Sequence, residues 1–287
     1  MPGATLAALV LSAGCGSGSN SNTSEVHSAG ATTPPAEQLT SVQMSASALD
    51  ALSQSSGAAN DAIIQAGTSA SVSTRSASGT TAATAFTFSN SGTFTVDLDA
   101  RDGLGGDRYP NATGTFTVHY SGSAVSSQPT GTGGTAGYDV SLTFDTDAVF
   151  TDPVSGARAT IDHGSSVAYS LEIAWNRPDA DHWTLSSDAQ LTVPTWSGSL
   201  VQGTDTATGT HSGHAHETHS LAYAAGAFSY VPTVVSHWNS TVVRNGISHA
   251  VVWDRTSIDH ITVTVDGTLY GPFTRAQAAA IIHANVH

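Results

Sequence analysis

The stretch Val167-Ala-Tyr169-Ser-Leu171-Glu-Ile173-Ala-Trp175 has a period of two, because every second residue is large and apolar. The residues between them are small or charged. Side chains of a β-strand point alternately to opposite faces of the sheet, so this stretch predicts a strand with one buried and one solvated face. Sheets that keep one face in water are commonly antiparallel. The stretch therefore predicts an antiparallel β protein.

The same alternation recurs on both sides of this stretch. The alternating residues are Phe86, Phe88, Phe94, Val96, Phe116, Val118, Tyr138, Val140, Leu142 and Phe144 before it, and Ile247, His249, Val251 and Trp253 after it. Turn residues separate these strips, and Asn245-Gly246 between apolar strips is a strong hairpin signal. We expect a mainly β domain over 84–287, an antiparallel meander of about ten to twelve strands that forms a barrel, a half-barrel wrapped on a helix, or a sandwich.

Two segments have helical patterns. The Ala- and Ser-rich segment 40–67 opens with Thr40-Ser-Val-Gln43, which has the form of a capping box, and it has too few large apolar residues to be stable alone. It should dock on the sheet or remain mobile. A second capping box, Thr274-Arg-Ala-Gln277, predicts a short C-terminal helix at 274–284.

The charge of the chain excludes several functions. The 287 residues have a formal net charge of −14, and all eight basic residues are arginines. Without lysine the chain cannot form a P-loop or a Schiff base. An acidic surface repels the phosphate backbone, so we expect no nucleic-acid partner.

The first residues read Met1-Pro-Gly-Ala-Thr-Leu-Ala-Ala-Leu-Val-Leu-Ser-Ala-Gly-Cys15, an apolar stretch that ends in small residues before the only cysteine. This pattern resembles the signal peptide and lipobox of bacterial lipoproteins. The resemblance implies a signal peptide at 1–14, lipidation of Cys15, and a place in the bacterial cell envelope with the membrane as partner. Gly16 follows the cysteine in place of an aspartate, which by the same resemblance slightly favours the outer membrane. The polar segment 15–39 is typical of a flexible tether.

The most unusual local feature is a stretch with four histidines, His211, His214, His216 and His219. Imidazoles bind Zn²⁺, Cu²⁺ or Ni²⁺, and Glu217 could add an oxygen ligand. His214 and His216 would share one face of a strand, about 6–7 Å apart. The alternative is a solvated hairpin whose histidines bind no ion in the cell, so no cofactor is required.

Carboxylates gather around a glycine turn at Asp97, Asp99, Asp102 and Asp107, which suggests calcium. Their spacing does not match an EF-hand loop, and a hairpin tip with solvated aspartates is the alternative. Trp183 and Trp238 could stack on sugars, although large aromatics more often fill β cores.

No catalytic residues can be assigned, because the chain has no Gly-x-Ser-x-Gly motif and its single thiol is assigned to lipid. We therefore expect a lipid-anchored binding or structural module that is not an enzyme. Two alternatives remain open. One is capture of a divalent transition metal by His211–His219, and the other is transport of an apolar ligand in the cavity of a barrel.

Overall fold

The computed structural model describes residues 33–69, 86–100, 109–126, 133–151 and 156–282. Their helices are α1 (Ala36–Ser69) and α2 (Arg275–Ile282). Their strands are β1 (Phe86–Asp97), β2 (Ala112–Thr113), β3 (Thr115–Ser126), β4 (Gly133–Phe144), β5 (Ala148–Thr151), β6 (Arg158–Ile161), β7 (Ser166–Asn176), β8 (His182–Gln202), β9 (Asp205–Ala224), β10 (Ala227–Arg244), β11 (Ile247–Ser257), β12 (His260–Val265) and β13 (Thr268–Phe273).

The strands form one antiparallel sheet, which confirms the predicted fold class. The path of the sheet runs β1-β3-β4-β7-β8-β9-β10-β11-β12-β13, and β2, β5 and β6 lie beside it. The described part has 13 strands, slightly more than expected. Because β1 and β13 do not pair with each other, the sheet is open and does not close into a barrel.

Strand β8 changes its neighbour halfway along. Its first half pairs with β7 as far as Thr192, and its second half pairs with β6 from Gly198. The register with β9 shifts between Val193 and Trp196, where Pro194 interrupts the strand. Proline has no backbone N–H for the ladder, so it is tolerated at such a bulge. The bulge is the point at which the sheet branches.

Three hairpins close on two-residue turns in the left-handed region. Asn245 and Gly246 have φ of 52° and 77°, and Asp266 and Gly267 have 50° and 83°. These positive values are typical of the type I′ turn that Asn-Gly and Asp-Gly favour. The hairpin predicted at Asn245 is therefore confirmed. A third turn uses Ala225 at φ 50° with Gly226 at φ 86°.

Helix α1 lies inside the curve of the sheet. It contacts strands from β1 to β12, and all of its residues from Thr40 to Ala46 are buried. Seven consecutive helical residues point in every direction around the axis, so the helix is surrounded on all sides. Of the predicted arrangements, these contacts are consistent with the half-barrel wrapped on a helix. We call the face of the sheet that carries α1 the inner face, and the opposite one the outer face.

The predicted start of this helix was wrong. Helix α1 begins at Ala36 after Pro34-Pro35, and the Pro35 carbonyl accepts hydrogen bonds from the backbone N–H of Gln38 and Leu39. Thr40 and Gln43 are thus interior residues and cannot form a capping box. Gln43 instead donates to the carbonyl of Ile281 at 3.1 Å, which ties α1 to α2.

The core lies between α1 and the inner face. Small side chains of α1, mostly alanine and serine, let the helix approach the strands closely. The largest fully buried side chains are Phe116, Phe144, Phe273, Leu52, Leu98, Leu142, Ile161 and Leu191. A cavity of about 20 Å³ between Met44, Trp196 and Val242 is roughly large enough for one water molecule.

The capping box of the C-terminal helix is confirmed. The backbone N–H of Thr274 donates to Gln277 Oε1 at 2.8 Å, and the N–H of Gln277 donates to Thr274 Oγ1 at 3.3 Å. Phe273 before the cap is buried and anchors the entry to α2. The predicted signal peptide, Cys15, and most of the predicted tether lie outside the described residues, and residues 36–39 of that tether belong to α1.

Candidate functional site

The four clustered histidines all lie on β9, and the strand divides them between its two faces. His214 and His216 are exposed on the outer face. His211 and His219 point to the inner face, where His211 is buried and His219 is half-buried. Alternate residues of a strand point in opposite directions, so the four side chains do not converge on one ion.

The outer-face histidines have partners other than each other. His216 Nε2 lies 3.0 Å from a carboxylate oxygen of Asp188. The ring of His214 packs on that of His237, with centroids 5.9 Å apart, and His237 Nδ1 is 2.6 Å from Asp254 Oδ1. Within the ranges that the structure describes, no group of three or more His, Cys, Asp or Glu side chains could hold a metal ion.

His211 belongs to a polar network inside the core. Its Nδ1 lies 2.8 Å from Ser240 Oγ, whose oxygen is 2.7 Å from Ser45 Oγ on α1. The Trp253 indole N–H donates to the same Ser45 oxygen at 3.2 Å. Burial lowers the pKa of His211 to about 4, so the ring is neutral at pH 7. These contacts give His211 a structural role in joining α1 to β9, β10 and β11.

Of the four predicted calcium ligands, Asp97 and Asp99 lie within the described residues. Asp97 Oδ1 accepts the backbone N–H of Asp99 at 2.9 Å, and Asp99 Oδ2 accepts that of Gly114 at 3.1 Å. Both carboxylates therefore stabilise the backbone at the end of β1, as turn aspartates do. Asp102 and Asp107 lie outside the described residues.

A second polar cluster on the inner face centres on Glu217, which sequence reasoning offered only as an added metal ligand. Glu217 is 2% exposed, and its Oε1 lies 2.8 Å from His219 Nε2 without hydrogen-bond geometry. His219 Nδ1 lies 2.6 Å from the hydroxyl of Tyr230, whose ring stacks on the imidazole. Ser187 of β8 stands directly opposite His219. We call Ser187, Glu217, His219 and Tyr230 the Glu217 cluster.

Three atoms of this cluster are buried without a hydrogen bond. They are Glu217 Oε2, His219 Nε2 and Ser187 Oγ. A buried polar atom without a partner costs about 1–3 kcal/mol, so such atoms need an explanation such as a bound molecule. Two of them, Glu217 Oε2 and Ser187 Oγ, also have no ion-pair partner in the described residues, and their place on one face marks the cluster as the candidate functional site.

Burial also shifts the protonation of the cluster. It raises the pKa of Glu217 to about 7, although the charges of Arg255 and Arg275 oppose this rise. Burial lowers the pKa of His219. Near pH 7 the carboxyl group is therefore present in both forms and the imidazole is neutral.

The geometry of the cluster does not match a serine triad. A nucleophilic serine must be hydrogen-bonded to the imidazole that takes its proton. Here His219 faces a carboxylate and a phenol, and the Ser187 hydroxyl has no hydrogen-bond partner in the described part of the chain. The cluster instead provides hydrogen-bond donors and acceptors for a ligand.

Apolar side chains continue the inner face beyond the cluster, toward the hairpin tips of β7–β8 and β9–β10. Facing residues across the strands share one face of the sheet. One row contains Trp175, Leu185 and Leu221, and the next contains Trp183, Tyr223 and Phe228. We call these six residues the apolar shelf.

The apolar shelf is well exposed for such large side chains. Phe228 is 68% exposed, and the other five are half-buried. Tyr223 contacts both Trp183 and Phe228, with ring centroids 6.1 Å and 4.8 Å away. Trp183 is therefore not a core residue, whereas Trp238 is 6% exposed and is one.

The carrier alternative requires a hollow in the sheet. Helix α1 and its contacts fill the inner face along one part of the strands, where Phe144 is buried. Leu171 is also buried, but Ile173 is half-buried beside the apolar shelf and Trp175 is half-buried within it. The apolar surface is thus an open shelf at one end of the inner face.

Comparison of the chain with protein-family models, with curated proteins and with solved structures gave no match. Neither described helix has the length and hydrophobicity needed to span a membrane.

Proposed function

We propose that this chain is a lipid-anchored, non-catalytic module of the bacterial cell envelope that acts by binding. The observation that carries the proposal is the apolar shelf beside the Glu217 cluster. Exposed apolar side chains and unsatisfied buried polar atoms are both costly to a folded protein, and together they are typical of a binding surface. A purely structural role would not need either feature.

The anchor is proposed at Cys15. Nineteen residues, 16–34, lie between this cysteine and Pro35, the residue just before α1 begins. A flexible chain of that length has a mean reach of about 25 Å, which would hold the folded part close to, but clear of, the membrane surface. The resemblance to bacterial lipoproteins slightly favours the outer membrane, because Gly16 follows the cysteine in place of an aspartate.

Anchoring is tested by expressing the full chain in a Gram-negative bacterium and measuring the mass of the mature protein. We expect it in the membrane fraction, cut before Cys15 and carrying the mass of a diacylglyceryl group and an N-acyl chain. Cys15→Ser should move the protein to the soluble fraction. A mature protein with a free thiol and an uncut leader contradicts the anchor.

Absence of catalysis is tested separately with a broad panel of ester, amide and glycoside substrates. We expect no turnover above that of a Glu217→Gln, His219→Ala double variant. Turnover that this double variant abolishes, in protein whose circular dichroism is unchanged, makes the Glu217 cluster catalytic and overturns the proposal.

A further inference from the structure

We propose that the Glu217 cluster and the apolar shelf together bind a single-chain amphiphile with an uncharged, hydroxylated head. This inference rests on the proposed binding function and names its ligand class. The head would hydrogen-bond to Ser187 and Glu217, and the apolar chain would lie along the shelf toward the tips of the hairpins.

The two surfaces are continuous on the inner face. Glu217, His219, Leu221 and Tyr223 are alternate residues of β9, so their side chains follow one another along the same face. With a rise of about 3.3 Å per residue, Glu217 and Tyr223 are about 20 Å apart along the strand. That length accommodates a polar head and a medium alkyl chain in line.

The charges around the cluster are mixed, because Glu217 is acidic and the charges of Arg255 and Arg275 act on it. An anionic head would meet the carboxylate of Glu217 and a chain of net charge −14. A cationic head would be repelled by Arg255 and Arg275, whose charges act on Glu217. A hydroxyl group avoids both costs, because it can donate to the free Glu217 oxygen and accept from the Ser187 hydroxyl.

Tyr230 stands at the boundary between head and chain. It is 54% exposed, it stacks on His219, and it faces Leu221 across the strands. An exposed side chain reorients rapidly. Rotation of Tyr230 away from His219 would free His219 Nδ1 to bond to the head of a ligand.

The test uses the full chain carrying Cys15→Ser, purified without detergent, and three probes with the same ten-carbon chain. The probes are monodecanoylglycerol, decanoate and decyltrimethylammonium, each used below its micelle concentration. Binding is measured by calorimetry and by tryptophan fluorescence. We expect the glycerol ester to bind at least about 10-fold more tightly than either charged probe, because each charged head leaves an unfavourable contact uncompensated.

Two matched pairs of variants separate head from chain. Ser187→Ala should weaken binding by about 3–10-fold, which corresponds to one hydrogen bond. Ser41→Ala removes a buried hydroxyl of α1 that also has no hydrogen-bond partner, and it should not change the affinity. Leu221→Ser on the shelf should weaken binding by about 10-fold or more, whereas Val235→Ser on the outer face should not.

The inference is overturned by no saturable binding of any probe, by equal affinity for all three heads, or by equal effects of Ser187→Ala and Ser41→Ala. Saturable binding that Leu221→Ser leaves intact also overturns it, because the chain would then lie elsewhere. These results are independent of the anchor, which is read from the fractionation of the Cys15 protein. A missing anchor with selective amphiphile binding would therefore contradict only the proposed localisation.

Discussion

The hydroxyl oxygens of Ser45 and Ser240 lie 2.7 Å apart inside the core and join α1 directly to β10. Trp253 donates to one of these oxygens, and His211 bonds to the other. A network of four buried polar side chains is stable only when its members are paired, because an unpaired member costs its desolvation energy. This network makes α1 part of the sheet's core.

Removing one hydroxyl from the network should destabilise the fold. Ser240→Ala takes away the hydroxyl that bonds to His211 Nδ1 and breaks the link to Ser45, so we expect a loss of about 1–3 kcal/mol in the free energy of unfolding. Urea titration followed by circular dichroism measures it. Ser229→Ala, at an exposed site on the same strand, should change the value by no more than about 0.5 kcal/mol. Equal losses of unfolding free energy in both variants would show that the network does not stabilise the fold.

The buried His211 should make stability depend on pH. Its pKa is about 4 in the folded chain, below the ordinary histidine value of 6.5, so the unfolded chain binds the proton more readily. The contribution of the neutral ring is complete above pH 6.5 and is lost as the pH falls toward 4, amounting to roughly 3 kcal/mol. His211→Gln should remove this part of the pH profile, whereas the exposed His260→Gln should retain it. Parallel pH profiles for wild type and His211→Gln would show that His211 does not cause this pH dependence.

Glu217 should act in the opposite direction. Its pKa is raised from 4.5 to about 7 by burial, so the fold favours the neutral carboxyl. This contribution is complete below pH 4.5 and is lost as the pH rises through 7. The difference in the free energy of unfolding between Glu217→Gln and wild type should therefore grow in favour of the variant from about pH 5 to pH 8. Unfolding titrations at both pH values measure it. Glu172→Gln, on the exposed outer face of β7, should show no such change, and a gain of the same size there would refute the assignment.

Ala225 is strained in its turn. Its φ of 50° lies in the left-handed region, which costs an ordinary L-residue about 1–2 kcal/mol and asparagine less. Ala225→Asn should therefore stabilise the protein by about 0.5–1 kcal/mol in thermal or urea unfolding. Ala224→Asn, at the exposed preceding residue of β9, should not stabilise it. A destabilising effect of Ala225→Asn would show that the turn has another geometry.

Sequence periodicity was sufficient to predict the class of fold but not whether the sheet closes into a barrel. The apolar alternation of Val167 to Trp175 and the turn at Asn245 are local signals, because a strand period and a tight turn each depend on a few neighbouring residues. The turn at Ala225 was missed, since alanine is not a residue that favours positive φ. Closure depends on which strands meet α1, and this is a long-range property.

The beginning of α1 illustrates the same limit. Thr40 and Gln43 have the pattern of a cap, but tertiary contacts bury both and extend the helix back to Ala36. Local propensity is a weak guide where packing decides.

The candidate site was only partly visible in the sequence. Alternate residues of β9 place Glu217 and His219 on the same face as the buried Ala215. A glutamate on this otherwise apolar face was the sequence signal for the candidate site. Ser187 and Tyr230 come from other strands, and only the register of β8, β9 and β10 brings them to His219. No local pattern encodes that register.

Helix α1 is the core around which the sheet is built. Hydrogen exchange of the folded full chain, resolved by peptide and mass spectrometry, tests this arrangement. We predict that the amides of residues 40–52 exchange as slowly as those of β8–β11, because global unfolding would be needed to expose them. Complete exchange of these amides at the shortest labelling time, while the strands stay protected, would show that α1 is not part of the core.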